Sequence, residues 1–307
     1  MQADVISAEP RVQWPWQVAW AEWKRILKCV WGQIDEDNVF MVAAALSFYA
    51  VLALFPGLLA LVSLYGMIAD PADVESFISS IASLLPSSAW LTLRDELHTL
   101  VSTPGSSLSL GFLVSTVGAL WSASSGVEEL VAAVNLAYDK KEKRSFVKRK
   151  TISLALTFGL MAFVIFAIAL VAILPSILAL FGDRTGLLSL VNIARWPLLA
   201  GSVAFGLLTV YRIAPCRKRP KRWSPTGALL ATVLWLALSA VFSLYVSEFG
   251  SYNQTYGAVG GIIVLLLWFY LSGVLVLLGA EVTAALEGEK HDCVAPVESE
   301  PASKARP

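Results

Sequence analysis

The chain has 307 residues, of which 57% are hydrophobic and 15% are charged, and its formal net charge is zero. Its mean hydropathy is +0.68. Soluble domains usually carry about 25% charged residues, so this composition excludes an ordinary soluble protein and favours a membrane protein.

Six long apolar runs are separated by polar loops. A helix needs about 20 apolar residues to cross the hydrocarbon core of a bilayer. The runs are continuous rather than alternating, which favours helices over barrel strands. They cover approximately residues 39–69, 108–124, 152–174, 196–213, 225–247 and 257–280. The sequence therefore predicts an all-α, polytopic membrane protein with six transmembrane helices and short external amphipathic helices.

Lysine and arginine predict the orientation of these helices. Most of the 23 basic residues lie before the first run, between the second and third, between the fourth and fifth, and after the sixth. Loops rich in Lys and Arg stay on the cytoplasmic side of a membrane. Both termini are therefore expected in the cytoplasm.

The same pattern divides the chain into three segments. Residues 1–38 are expected to form a cytoplasmic segment with a Trp-rich helix, which either lies in the headgroup layer or packs on the end of the bundle. Residues 39–287 form the six-span membrane domain, and residues 288–307 form a charged, disordered tail. Outside the membrane, residues 70–107 predict two short amphipathic helices, and residues 175–194 predict a shorter element of the same type.

Several short motifs occur in a characteristic order along the chain. They are IDEDN at 34–38, AAALSFY at 43–49, LFP at 54–56, LWSA at 120–123, NLAY at 135–138, YRIAP at 211–215, FSLY at 242–245, SYNQTYGA at 251–258 and LGAE at 278–281. In these motifs the chain resembles the YihY/BrkB family of bacterial inner-membrane proteins, over about residues 31–287. The resemblance implies a multi-pass protein of the bacterial cytoplasmic (inner) membrane. The family has been called ribonuclease BN-like and virulence-factor-like, and the resemblance does not settle an activity.

Small and polar residues recur on one face of the second span. They are Gly111, Ser115, Gly118, Ser122, Ser125, Gly126 and Glu129. Small residues let helices approach closely in lipid, which predicts a packing contact at Gly111 and Gly118. The alternative is a polar substrate path through Ser115, Ser122 and Ser125 towards Glu129, because ionisable groups near the membrane interior tend to be functional or paired. The neighbouring Glu128 points about 100° away and is expected to be solvated.

The start of the sixth span carries a second group of candidate residues. Gly257 and Gly261 form a G-x-x-x-G pattern that predicts close helix packing. With Tyr245, Asn253 and Tyr256, these glycines indicate a shaped external turn, and the three polar side chains are further candidates for a substrate path.

Two further features concern helix geometry and charge. Arg212 and Glu281 are both predicted at the cytoplasmic interface, where they either form an ion pair or extend separately to water. Pro56 lacks a backbone N–H and is expected to kink the first span.

Few residues suit hydrolytic chemistry. Metal-dependent nucleases need clustered carboxylates or histidines, whereas His98 and His291 are predicted on opposite sides of the membrane, and the acidic run 35–37 fits a helix start better. The three cysteines, Cys29, Cys216 and Cys293, are all predicted on the cytoplasmic side, where a reducing compartment favours unpaired thiols. No cofactor, metal or nucleic-acid partner is expected, and the chain is not expected to be an enzyme.

The resemblance implies an inner-membrane protein with a role in maintaining the cell envelope. The external amphipathic helices and the small, polar face of the second span predict that it handles a lipid or an amphipathic solute. Membrane lipids are its expected partners. The alternative is a non-transporting scaffold that binds envelope proteins, and a remote alternative is a ribonuclease. A groove between the spans would favour transport, whereas a solid bundle would favour the scaffold.

Overall fold

A computed structural model describes residues 20–66, 110–173, 187–216, 223–248 and 250–288. Within these ranges the regular elements are all helical. The helices are α1 Trp20–Glu36, α2 Val39–Gly66, α3 Leu110–Ala137, α4 Phe146–Ile168, α5 Leu187–Ile213, α6 Ser224–Glu248 and α7 Gly250–Leu286. A π-helical segment, Ala169–Ile173, continues α4.

Four of the described helices are long and apolar enough to cross a membrane, namely α4, α5, α6 and α7. A fifth span is added if α1 and α2, which are bent by 62° at the break between them, are counted as one broken span. The prediction of an all-α, multi-pass membrane protein is therefore confirmed. The number six remains a prediction.

The helix bounds differ from the predicted runs in three places. α3 continues to Ala137 rather than ending near residue 124, because its second half is amphipathic and buries Val127, Val131 and Val134 at helical spacing. Residues 187–194 belong to α5 and are not a separate external element. α7 begins at Gly250, so the predicted external turn around residues 253–257 is helical.

The six helices from α2 to α7 form a closed ring in chain order. Each packs against the next one in the chain, and α7 returns to pack against α2. α7 also contacts α3 and α5 across the ring. These cross-ring contacts place α7 at the centre of the packing.

The break between α1 and α2 falls at two polar residues. Asn38 has φ 50°, a left-handed conformation that Asn adopts more readily than most residues. Its side-chain Nδ2 donates a hydrogen bond to the carbonyl oxygen of Glu36 at 3.2 Å. Beyond the break, α1 packs on the end of α7, where Val30 contacts a buried cluster with Val282 and Ala285. The packing alternative predicted for the Trp-rich helix is therefore observed for one face of α1.

Some predictions fall outside the described residues or are corrected by them. The external helices predicted at 70–107 and the tail at 288–307 lie outside the description, apart from Gly288. Cys29 is disulfide-bonded and Cys216 is a free thiol. The expectation of three unpaired cysteines is therefore wrong for Cys29.

Candidate functional site

The inner faces of α5, α6 and α7 are buried at one end of the bundle and exposed at the other. Residues 18 apart on a helix are separated by five full turns, so they point in the same direction. Tyr211 on α5 is 0% exposed, whereas Ile193, 18 residues earlier, is 71% exposed. On α6 the change is from 2% at Ala228 to 38% at Val246. On α7 it is from 0% at Glu281 to 56% at Ile263.

α3 does not share this gradient. On α3, Val134 and Thr116 are also five turns apart, and both are buried. Ala60 of α2 and Met161 of α4 form a further buried contact with the side of α3. Away from the basic loops, the described bundle is thus buried along α3, whereas the compared positions of α5, α6 and α7 are exposed.

We call the end near the basic loops the basic end, and the more exposed half of α5, α6 and α7, away from that end, the open half. Trp235 on α6 donates from Nε1 to Ser272 Oγ on α7 at 3.1 Å. Its ring lies 5.6 Å from that of Trp268, which is 4.9 Å from Phe242. Phe242 is in turn 5.9 Å from Tyr245. The open half therefore presents aromatic surface with few polar groups.

The basic end is closed by an unusually close approach of α6 and α7. A Cβ added at Gly227 would overlap Thr283 Oγ1 and the carbonyl oxygen of Gly279. A Cβ added at Gly279 would overlap the hydroxyl of Tyr211 from α5. That hydroxyl donates to the carbonyl oxygen of Val276 at 2.6 Å. Three helices thus meet at two glycines, below the open half.

A polar network ties the loop after α3 to the end of α5. Arg144 binds both carboxylate oxygens of Glu142, at 2.8 and 2.6 Å, and donates to the carbonyl oxygen of Ala214 at 2.7 Å. Asn135 accepts a 2.7 Å hydrogen bond from the backbone N–H of Cys216. The thiol of Cys216 lies 3.0 Å from Glu142 Oε1. We call these four side chains the loop network.

The loop network predicts a pH dependence of stability. The hydrogen bonds from Arg144 lower the pKa of Glu142 from 4.5 to about 2, against the opposing effect of burial. A lowered folded-state pKa adds stability above pH 4.5, and this stability is lost as pH falls towards 2. We expect Arg144→Gln to lower the melting temperature near neutral pH. Acidification should then lower the melting temperature of the variant less than it lowers that of wild type.

Thermal unfolding in detergent between about pH 3 and pH 7 tests this expectation, because the linkage acts within that window. Lys143→Gln is the matched control, since Lys143 is an exposed base in the same loop. Equal acid sensitivity of wild type and Arg144→Gln would contradict the role given to the network.

A second charged pair lies deeper between α3 and α4. Lys150 is 5% exposed, and its Nζ lies 2.9 Å from Glu128 Oε1. The same Nζ donates to the carbonyl oxygen of Trp121 at 3.2 Å and lies 4.2 Å from the centre of the Trp121 ring. Glu128 was expected to be solvated, and this expectation is wrong. Burying Lys150 requires a counter-charge, and Glu128 supplies it.

The predicted polar face of α3 lies on the outside of the described bundle. Gly118, Ser122, Ser125 and Glu129 are all exposed, while Gly126 approaches Ala53 and Tyr49 of α2. Nothing among the described residues lies within 4 Å of a Cβ built on Gly118. The helix contact predicted at Gly118 is therefore not found within the described chain. α3 packs through the adjacent face instead.

The remaining predicted residues fall into separate groups. The backbone of Gly111 and Ser115 lies in α3, and that of Asn253, Tyr256 and Gly257 lies in the first turns of α7, but the side chains are outside the description. A Cβ on Gly261 would likewise meet no described atom within 4 Å. Tyr245 lies at the open half, as described above.

Arg212 and Glu281 have different environments. Glu281 is completely buried in α7, so it does not extend separately to water as one alternative required. Arg212 is exposed at the end of α5. Their ion pair stays a prediction. Pro56 lies inside α2, which continues to Gly66, and the predicted kink also stays a prediction.

Among the described residues, no three His, Cys, Asp or Glu side chains are grouped so that they could hold a metal ion. Among the described charged side chains are two separate ion pairs, Glu142 with Arg144 and Glu128 with Lys150. Their geometry fits structural roles in the folded chain.

The helices and their packing define a multi-pass, all-helical membrane protein. Residues 30–305 match the family model described as Virulence factor BrkB, and the chain belongs to this family. The predicted resemblance to the YihY/BrkB family is thus confirmed.

Named relatives agree with the assignment. The chain is 36% identical over 253 residues to "Putative ribonuclease-like protein YfkH" of Bacillus subtilis (strain 168), covering 81% of this chain and 90% of that protein. It is 27% identical over 264 residues to "UPF0761 membrane protein VV0203" of Vibrio vulnificus (strain YJ016), covering 85% and 82%. No solved structure matches the chain.

Proposed function

We propose that this protein maintains the bacterial cell envelope by moving a lipid or an amphipathic solute through the open half of its helix ring. The observation that carries the proposal is the exposure gradient on α5, α6 and α7. In a solid bundle each helix buries a continuous stripe, whereas here the compared positions of three neighbouring helices are buried near the basic end and exposed five turns away from it. A ring packed at one end and more exposed at the other supports entry of a molecule from the membrane or from the far side.

The chemistry of the open half supports an amphipathic cargo. Trp235, Phe242 and Trp268 offer apolar surface for acyl chains or other hydrophobic groups. Ser239 and Ser272 lie among them and offer hydroxyl groups. No charged residue occurs in α6 between its first turn and Glu248. This surface fits an amphipathic cargo, whose apolar part contacts the aromatic side chains and whose polar part stays in contact with water.

The proposal includes an orientation. Six spans in the inner membrane with both termini in the cytoplasm would place the basic end inside and the open half towards the periplasm, as the distribution of Lys and Arg predicts. The closed end would then prevent leakage into the cytoplasm. The open half would receive its cargo from the membrane or the periplasm.

Single-cysteine labelling tests this orientation. A membrane-impermeant reagent should label cysteines placed at residues 75–100 in intact spheroplasts, and label those placed at residues 140–150 only after lysis. The basic loop 140–150 is the more decisive site, because the charge argument rests on it. Labelling of that loop from outside would contradict the six-span, termini-in arrangement.

Reconstitution tests the transport activity. The purified protein is placed in liposomes that carry a fluorescent lipid, and a reagent that bleaches only the outer leaflet measures exchange between leaflets. Exchange faster than in protein-free liposomes supports transport. Exchange at the protein-free rate, for fluorescent lipids of several headgroups and for an amphipathic dye, would favour the non-transporting scaffold. Metal-dependent cleavage of RNA by the same preparation would instead favour the ribonuclease that the name of one relative suggests.

A further inference from the structure

One face of α1 is left uncovered by the described chain. Lys24, Leu27, Lys28 and Trp31 are spaced as i, i+3, i+4 and i+7, which places them in one stripe along the helix. All four are exposed, and Trp31 is 74% exposed. Arg25 is also exposed at the edge of this stripe. The first three turns of α1 therefore present positive charge together with a large aromatic side chain.

The opposite face of α1 is fixed to the bundle. Val30 is buried against Val282 and Ala285 of α7, with Ile26 and Ile34 packed beside them. Because these contacts set the rotation of α1 about its axis, the basic stripe faces away from α7. The first three turns of α1 contain three bases and one acid, Glu22, so they keep a positive balance. Asp35 and Glu36 follow at the far end of α1, next to the bend.

The bend places α1 near a membrane surface. α1 and α2 meet at 62°, so if α2 crosses the bilayer, α1 leaves the membrane axis and lies closer to its plane. Phe40 and Met41, in the first turn of α2, are large exposed apolar residues. Exposed apolar side chains at that level fit the edge of the hydrocarbon layer, which puts α1 at the depth of the headgroups.

We propose that Leu27, Lys28 and Trp31 of this stripe, with Arg25 at its edge, bind anionic lipid headgroups of the membrane leaflet at the basic end. Basic side chains attract anionic lipids close to the surface. Tryptophan and leucine insert at the boundary between headgroups and acyl chains. Through Val30, this contact holds the last turns of α7, the helix that packs across the ring. The proposal does not rest on transport, since a scaffold would be anchored in the same way.

The test uses the full chain in nanodiscs of phosphatidylcholine, with and without phosphatidylglycerol. The emission of Trp31 is taken as the difference between wild type and Trp31→Phe, because the chain contains 11 Trp. We expect this difference emission to be quenched more by lipids brominated near the headgroup than by lipids brominated deep in the acyl chain. We expect acrylamide in the aqueous phase to quench it weakly. Strong quenching by acrylamide together with no quenching by brominated lipids would overturn the proposal.

Two double variants test the role of charge. In wild type, phosphatidylglycerol should increase the quenching of Trp31 by lipids brominated near the headgroup. Arg25→Gln with Lys28→Gln should abolish this gain. Lys143→Gln with Lys148→Gln removes the same charge from exposed positions at the same end and should keep that gain. If both double variants lose this gain equally, a general effect of surface charge replaces the proposal. If the Arg25→Gln, Lys28→Gln variant melts below wild type in phosphatidylcholine alone, a folding role replaces it. Raised salt should weaken the phosphatidylglycerol effect through screening.

Discussion

Gly227→Ala is expected to destabilise the protein strongly, although it adds a single methyl group. The new Cβ would overlap Thr283 Oγ1 and the carbonyl oxygen of Gly279. Thr283 could change its rotamer, but the Gly279 carbonyl is part of the α7 backbone, so α6 and α7 would have to separate. Overpacking of this type costs about 1–3 kcal/mol and occasionally more. Thermal unfolding in detergent, followed by the loss of the monodisperse size-exclusion peak, measures the effect.

Gly206→Ala on α5 is the matched control. Gly206 is exposed, and a Cβ at this position meets no described atom within 4 Å. Because alanine favours a helix over glycine by about 0.5–1 kcal/mol, the control should be neutral or slightly stabilising. The same Gly→Ala change should therefore lower the stability at position 227 and leave it unchanged or raise it slightly at position 206. A melting temperature for Gly227→Ala equal to that of wild type would show that α6 and α7 do not approach as closely as described.

Ser239→Trp is expected to abolish most of the lipid or solute exchange without lowering stability. Ser239 lies on the inner stripe of α6 with Trp235 and Phe242, in the open half where side chains are only partly buried. A tryptophan there would occupy the space through which the cargo is proposed to pass. We expect exchange to fall at least about tenfold, which corresponds to about 1.4 kcal/mol in the barrier. Because Ser239 is only partly buried, the larger side chain should not overpack a core.

Ala237→Trp supplies the control for size. Residues 237 and 239 lie about 160° apart around a helix. Ala237 is exposed on the outer face of α6. Ser239→Ala supplies the control for the lost hydroxyl, which donates within its own helix to the carbonyl oxygen of Trp235 at 2.7 Å. Both controls should retain exchange. Wild-type exchange in Ser239→Trp, at a normal protein level, would exclude a route through the open half.

The polar clusters show why the candidate residues were harder to predict than the helices. Glu128 and Lys150 are 22 residues apart, and the sequence places Lys150 with the other bases of a cytoplasmic loop. In the structure α4 starts at Phe146, which places Lys150 inside the helix and against α3. A lysine within the first turns of an apolar helix is the signal that could have indicated a buried pair.

The polar face of α3 shows a different limit of sequence patterns. Its spacing predicts one continuous stripe. Within the described part, Gly118, Ser122, Ser125 and Glu129 share an exposed face, but sequence spacing alone does not say which stripe of a helix faces its neighbours. Gly126 and the buried residues Ala123, Ser124 and Val127 turn α3 towards α2, so Ser122 and Glu129 face outwards. Gly126 thus packs against α2, whereas a Cβ on Gly118 meets no described atom within 4 Å.

The sequence by itself determined that this protein is an all-helical, multi-pass membrane protein of its family. Apolar length and backbone hydrogen bonding require helices, and the motifs are local. The tertiary structure decided where the chain is packed and where it is not. The close approach at Gly227 and Gly279, the pairing of Lys150 with Glu128, and the open half along α5, α6 and α7 each depend on contacts between residues distant in the chain. Because the rotation and depth of each helix set those contacts, no single segment encodes them.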